Sequence, residues 1–81
     1  MKSNIYTIKD NKAGLFGPVF LLKNNFVALR TLADEMNKQD SVIGKHPEDY
    51  ALYCVGEFDE DTGEINGKPV FVENASNLVS K

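Results

Sequence analysis

The chain of 81 residues is 42% hydrophobic, which is enough for a packed core and predicts one folded domain over residues 1–81. Its formal net charge of −3 at pH 7 argues against a general electrostatic attraction to nucleic acid. The charge is uneven, because residues 1–46 hold seven basic and four acidic side chains, whereas residues 47–81 hold two and eight. A basic N-terminal face is therefore an open expectation, as is head-to-tail attraction between the halves of two copies.

The cysteine content and the length of the apolar runs indicate the cellular compartment in which the protein is expected to act. The single cysteine, Cys54, cannot form an internal disulfide, which fits a reducing cytosol. No signal-peptide pattern opens the chain. The longest apolar run, residues 15–22, contains Gly17 and Pro18 and is too short to span a bilayer. We expect no membrane contact. Because so small a domain has a thin stability margin, we also expect a homo-oligomer that associates through a sheet edge or an exposed apolar patch.

The first quarter of the chain predicts two strands. Residues 5–9 are β-branched and aromatic and form the first, and residues 10–14 form a turn. Residues 15–18 are predicted to stay irregular, because Pro18 lacks a backbone N–H and biases Gly17 away from helix. Residues 19–22 then form a short strand at a sheet edge, where a proline at the start is tolerated.

The clearest helix is predicted over residues 25–37, with Asn24 as its N-cap. Arg30 is expected to pair with Asp34 four residues later. The predicted core face has apolar residues at spacings of three and four. It consists of Phe26, Leu29, Ala33 and Met36.

The second half predicts a sheet built on one strong strand. Residues 39–45 form a polar loop, and residues 46–49 form a single helical turn with Pro47 at its first position. Residues 51–58 are apolar on both faces and predict a strand in the middle of a sheet.

A hairpin loop over residues 59–63, with Gly63 at positive φ, leads into further extended segments at residues 64–66 and 69–73. Asn74 is then placed to cap a short helical turn that carries Leu78 and Val79. The fold class expected is α+β, with a small antiparallel sheet of three to five strands packed on one main helix.

The sequence contains no strong motif for a catalytic or a metal site. Cys54 and His46 are the only thiol and imidazole, and a nucleophile–base pair would need contact between them and a third orienting group. The acids of residues 59–64 lack the spacing of an EF-hand and are better read as a solvated hairpin tip. No phosphate loop, dinucleotide fingerprint or zinc spacing is present. We expect no enzyme activity, no catalytic residue, no metal and no cofactor.

A basic and aromatic surface is the main binding hypothesis. Single-strand binders combine cations for phosphates with aromatic rings for bases. The alternative is that the cations only solubilise the chain over core aromatic residues, and that Arg30 forms an ion pair with Asp34 or a nearby acid. The candidate DNA-binding residues are Lys9, Lys12, Lys23, Arg30, Lys38 and Tyr6. Phe16 and Phe20 are further aromatic residues interleaved with the lysines.

Several segments together resemble one viral family, the non-structural proteins of gokushoviruses, which are single-stranded DNA phages of the microvirus group. The resemblance covers nearly the whole chain, and its second block is the more specific. The first block is Ile5-Tyr6, Gly17-Pro18, Asn24, Val27-Ala28-Leu29-Arg30 and Asn37. The second block is His46-Pro47-Glu48-Asp49-Tyr50, Leu52-Tyr53, Gly56-Glu57-Phe58-Asp59 and Thr62-Gly63.

The resemblance implies a role in phage genome synthesis. The family is compared with protein C of the coliphage microviruses, which helps switch replication from a double-stranded template to packaged single strands. The resemblance implies that this chain is a small replication accessory in the host cytoplasm that binds DNA, preferably single-stranded. The alternative is an adaptor that docks on the replication initiator or on capsid assembly without contacting DNA. Viral replication or capsid proteins are the expected protein partners.

Overall fold

The computed structural model describes residues 1–79 of the chain. Within that range the fold is α+β, with six strands, two helices and two short 3-10 turns. The strands are β1 (Lys2–Asp10), β2 (Leu15–Phe16), β3 (Phe20–Leu22), β4 (Tyr50–Asp59), β5 (Ile65–Asn66) and β6 (Val70–Asn74). The helices are α1 (Asn25–Met36) and α2 (Val42–Lys45), and the 3-10 turns are Pro47–Asp49 and Ala75–Leu78. None of the helices in this range is long and apolar enough to cross a membrane.

The six strands occupy only four rows of one antiparallel sheet. β1 and β4 pair along their whole lengths, from Lys2 opposite Asp59 to Asp10 opposite Tyr50. Since one edge of each is thereby occupied, β2 and β3 share the outer edge of β1, and β5 and β6 share the outer edge of β4. The prediction of three to five strands was too low, because Leu15 and Phe16, predicted to stay irregular, form β2. Each outer row is interrupted by a segment that contains a proline, Pro18 or Pro69, which has no N–H for the ladder.

The core lies on one face of this sheet. Tyr6 of β1 and Leu52 of β4 are both fully buried there. They pack with the buried face of α1, with Ile43 of α2 and with Ala75. Because side chains alternate along a strand, Thr7 and Tyr53 point to the opposite face. One sheet face is therefore covered by helices, and the other is the uncovered face.

Helix α1 begins where the sequence predicts but buries a different stripe. The Asn24 side chain caps it by accepting from the Val27 N–H at 2.9 Å. The buried positions are Ala28, Leu32 and Met36. Phe26 was assigned to the core face and is 73% exposed, which makes that assignment wrong. At 100° per residue it lies about 120° around the helix from Leu32, outside the stripe that contacts the sheet.

Two segments predicted to be irregular are ordered. Residues 39–45 contain α2, because the Ser41 hydroxyl accepts from the Gly44 N–H at 2.9 Å and caps a short helix. Leu15 and Phe16 pair with β1 as β2, which residue preferences alone do not indicate. The 3-10 turn after Asn74 is present, but the Asn74 side chain makes no capping bond to it.

The place of Cys54 in the apolar pattern of β4 predicts a buried thiol, whereas the structure leaves it half-buried. It lies on the covered face of β4, next to the core, and its Sγ contacts the Gly56 carbonyl at 3.7 Å. We predict that maleimide labelling of the native protein will be slower than labelling in denaturant, because packing limits access to the thiol. Stopped-flow labelling in buffer and in urea measures this, and equal rates would contradict it.

Candidate nucleic-acid interface

Tyr6, a candidate DNA-binding residue, does not lie on the surface of the domain. Its side chain is fully buried between the sheet and α1, and its ring stacks on Phe20 at a centroid distance of 6.3 Å. Its hydroxyl donates to Asn25 Oδ1 at 2.7 Å and accepts from Asn4 Nδ2 at 3.0 Å. Burial raises the pKa of this hydroxyl above its usual value. The assignment of Tyr6 to base stacking is therefore corrected, since neither face of its ring is accessible.

Of the five candidate cations, Lys9 and Lys12 are brought together. Both belong to the hairpin that joins β1 to β2. The Asp10 carboxylate shapes the turn by accepting from the N–H groups of Lys12 at 3.0 Å and Ala13 at 3.1 Å. This local bonding explains why the sequence alone predicted a turn here.

The other three cations lie elsewhere. Lys23 follows β3, beside the opposite end of β1, since Leu22 pairs with Asn4. Arg30 is exposed on α1, and the ion pairs among residues 1–79 do not include the expected one with Asp34. Lys38 Nζ contacts Glu35 at 2.8 Å, and this hydrogen bond raises the pKa of Lys38. The candidate residues therefore do not form one continuous surface.

Three aromatic side chains form a series on the uncovered face, which we term the aromatic stripe: Phe16, Tyr53 and Phe71. The rings of Phe16 and Tyr53 lie edge to face with their centroids 5.2 Å apart, and the centroids of Tyr53 and Phe71 lie 5.8 Å apart in the same arrangement. Phe16 is 46% and Phe71 is 50% exposed. A group of exposed aromatic rings in contact with one another is a candidate binding surface.

Strand register builds the stripe. Phe16 pairs with Lys9, Thr7 pairs with Tyr53, and Tyr53 pairs with Phe71. The stripe consequently crosses the sheet from one outer row to the other. Tyr53 and Phe71 were absent from the sequence-based candidates. The alternation of residues 51–58 was the only signal for Tyr53, and it did not reveal which face would stay uncovered.

Lys9 places a cation in the stripe. Its Nζ lies 5.3 Å from the centre of the Phe16 ring and 5.8 Å from the centre of the Tyr53 ring. At these distances an ammonium group is attracted to the ring faces. The arrangement offers ring surface for a planar, apolar group and a positive charge for an anion directly beside it.

One acidic cluster, formed by residues 59–61, lies at the far end of the sheet from Lys9. Asp61 pairs with the N-terminal ammonium, and the Ser3 hydroxyl donates to Glu60 at 2.6 Å. The Asp61 N–H, together with weaker contributions from the N-terminus and Lys2, lowers the pKa of Asp59. Asp59 pairs with Lys2, seven residues along β1 from Lys9, so about 23 Å separates this acidic tip from the cation of the stripe.

One group of side chains has metal-ligand geometry. Among residues 1–79, His46, Glu48 and Asp49 offer ligand atoms that all lie within 4.8 Å of one another. The first two are exposed, and the group belongs to one short turn. Solvated groups of this kind are common at protein surfaces. The cluster precedes β4 and lies beside the β1–β2 hairpin, where the Asn11 N–H donates to the Asp49 carbonyl at 2.8 Å.

Comparison with known proteins places the chain in a family. No curated protein and no solved structure matches it. A family model described as Phage ORF5 protein matches residues 3–78, which covers the strands and helices described above except for Lys2 at the start of β1. The chain belongs to the Phage ORF5 protein family and is a phage protein.

Proposed function

We propose that this protein is a non-enzymatic accessory of phage genome replication that binds single-stranded DNA on the uncovered sheet face. The observation that carries the proposal is the aromatic stripe with Lys9 against two of its rings. Unpaired bases stack on exposed rings, and backbone phosphates bind a neighbouring cation.

The stripe favours single strands over duplex. In a duplex the faces of the bases are stacked on one another and are not accessible to protein side chains. A single strand can splay its bases onto aromatic residues of a sheet surface, which is how several sheet-based modules bind nucleic acid. Phe16 and Phe71 are half-exposed, so each presents ring surface to such a base.

The net charge of −3 does not preclude this binding mode. Ionic screening reduces interactions between exposed charges over about 8 Å at physiological salt. The acidic tip lies about 23 Å from Lys9 by strand rise, which is nearly three screening lengths. The acids of the tip therefore oppose phosphate binding at Lys9 and Lys12 only weakly. Asp10, whose carboxylate accepts from the Lys12 and Ala13 N–H groups, is the acid next to these lysines.

Membership in a phage family supports the biological setting. The resemblance to gokushovirus non-structural proteins suggests the stage of replication at which microvirus protein C acts. Single-stranded DNA accumulates at that stage, and an accessory with a stacking surface would bind it in the host cytoplasm.

A second candidate function is an adaptor that docks on the replication initiator or on capsid assembly without contacting DNA. The acidic tip favours this alternative, because Asp59, Glu60 and Asp61 are all solvent-accessible on one hairpin and suit a basic protein partner. Binding measurements on DNA separate the two candidates.

We predict that the double change Lys9→Glu with Lys12→Glu will weaken binding to an oligothymidine strand and flatten its salt dependence. Loss of two phosphate contacts should lower the log–log slope by roughly 1.4, at about 0.7 for each contact on a single strand. Fluorescence anisotropy over a salt series measures both quantities.

The matched control is Lys23→Glu with Arg30→Glu, which changes the net charge equally but lies away from the stripe. We expect it to preserve most of the slope. Equal effects of the two double variants would indicate non-specific charge attraction. Absence of binding by the unaltered protein at low salt would favour the adaptor function.

A further inference from the structure

An apolar groove lies on the covered side of the sheet, between α1 and the hairpin that joins β1 to β2. Its volume is about 700 Å³, within the range of clefts that bind ligands or partner side chains. Two carboxylates, Asp10 and Glu35, are its acidic residues. The apolar walls include Ile8, Leu15, Phe20, Leu22, Leu32 and Ile43.

A complementary feature projects from the same chain. Phe26 is 73% exposed and is thus the most exposed aromatic side chain among residues 1–79. Arg30 follows it by four residues on the same side of the helix, and Lys23 precedes the Asn24 cap, just before the helix begins. Neither cation takes part in the ion pairs found among residues 1–79. We term these three residues the Phe26 knob.

The knob cannot fill the groove of its own chain. Phe26 and Glu35 are nine residues apart, which is 900° at 100° per residue, so they lie on opposite sides of α1. Knob and groove consequently point in opposite directions. Any contact between them joins two copies.

We propose that the apolar groove receives the Phe26 knob of a second copy, in a head-to-tail contact. The ring of Phe26 would pack against the apolar walls. Lys23 and Arg30 would approach the carboxylate of Asp10, and Glu35 would be shared with Lys38, with which it already pairs at 2.8 Å. Both surfaces have an apolar centre, and one carries basic and the other acidic side chains, so opposite charges would meet. Such electrostatic complementarity sets orientation and partner choice. The groove has room for more than one side chain, so the first turn of α1 would enter with the ring.

Such a contact uses two different surfaces of the chain. An open assembly of this kind has one free knob and one free groove at its ends, so it either grows as an open chain or closes into a ring. Pairing through the outer edge strands would use other residues, including Ile65 of β5, which is 67% exposed. The two modes are distinguishable by mixing variants.

The experiment is sedimentation velocity over a concentration series, without DNA. We expect Phe26→Ala and Leu15→Lys each to raise the dissociation constant of self-association about tenfold or more, since each removes apolar burial from one side of the contact. Leu15 is 67% exposed, so the fold should tolerate the change, and circular dichroism checks this. The control Ile65→Ala should leave association unchanged.

Mixing the two variants gives the decisive result. The Phe26→Ala chain keeps its groove, and the Leu15→Lys chain keeps its knob, so an equimolar mixture should form a one-to-one dimer that neither forms alone. A mixture that stays monomeric, or a wild-type chain that is monomeric at every accessible concentration, would overturn the proposal. Association that is lost in Ile65→Ala but kept in Phe26→Ala would instead assign the contact to the sheet edge.

Discussion

Replacing Gly67 by alanine should destabilise the protein by about 2–6 kcal/mol, as the sum of backbone strain and overpacking. A domain of this size has a total stability on the order of 4–12 kcal/mol. We therefore expect the variant to be partly unfolded or to unfold at much lower denaturant concentration than the wild type.

The cause is the close approach of two backbones at the break in the outer row formed by β5 and β6. A Cβ on Gly67 would lie 2.3 Å from the Gly56 Cα and 2.9 Å from the Val55 carbonyl oxygen. These are backbone atoms of β4 and cannot move aside as a flexible side chain would. The φ of Gly67 is also +146°, which side chains disfavour.

Chemical denaturation in guanidinium chloride, followed by circular dichroism, measures the effect. The matched control is Gly63→Ala, where φ is +79° but no atom lies within 4 Å of the added Cβ. That variant should cost only about 1–2 kcal/mol, the penalty for a left-handed conformation. Equal losses in the two variants would show that the contact with Gly56 does not limit stability.

Local signals allowed much of the fold to be predicted. The Asn24 cap, the turn at Pro47 and the long strand β4 each depend on residues close together in sequence. The interrupted outer rows were not predictable in this way. β2 has two residues, and it forms because the turn after β1 aligns Phe16 with Lys9, not because Leu15 and Phe16 strongly prefer a strand.

The candidate site likewise combines residues whose positions the local sequence predicts with residues that only the tertiary structure brings together. Lys9 and Lys12 are neighbours in sequence, so their shared location could be foreseen. Tyr6 and Tyr53 are both aromatic residues inside apolar strands, and their patterns do not distinguish the covered face from the uncovered one. The position of α1 decides this, since its buried residues pack on Tyr6 and leave Tyr53 on the opposite face. Phe71 joins the stripe only through the register of β6 with β4.

The aromatic stripe leads to the prediction with the largest effect on DNA binding. Replacing both Phe16 and Phe71 by leucine should weaken binding to single-stranded DNA by about 2–6 kcal/mol, or roughly 30-fold or more, if each ring stacks one base at about 1–3 kcal/mol. Leucine keeps an apolar side chain at both half-exposed positions but removes the ring face. The charge is unchanged, so the salt slope should stay at its wild-type value.

A loss of affinity without a change in the salt slope distinguishes base stacking from electrostatic attraction. The lysine variants are expected to change the slope, whereas the double leucine variant should lower affinity at every salt concentration by a similar factor. Leu21→Ala, which removes another apolar side chain that is 48% exposed but lies outside the stripe, is the control and should bind normally. If the leucine variant bound as tightly as Leu21→Ala, base stacking on this face would be disproved.

Tyrosine emission gives a second readout of the same contact. The chain has three tyrosines and no tryptophan, so its intrinsic fluorescence comes from tyrosine alone. Tyr53 lies in the middle of the stripe, whereas Tyr6 is buried in the core. A base stacked on the stripe should quench Tyr53, and Tyr53→Phe should remove most of the quenching while keeping an aromatic ring and therefore most of the affinity. Quenching that persists in Tyr53→Phe would place the DNA elsewhere on the protein.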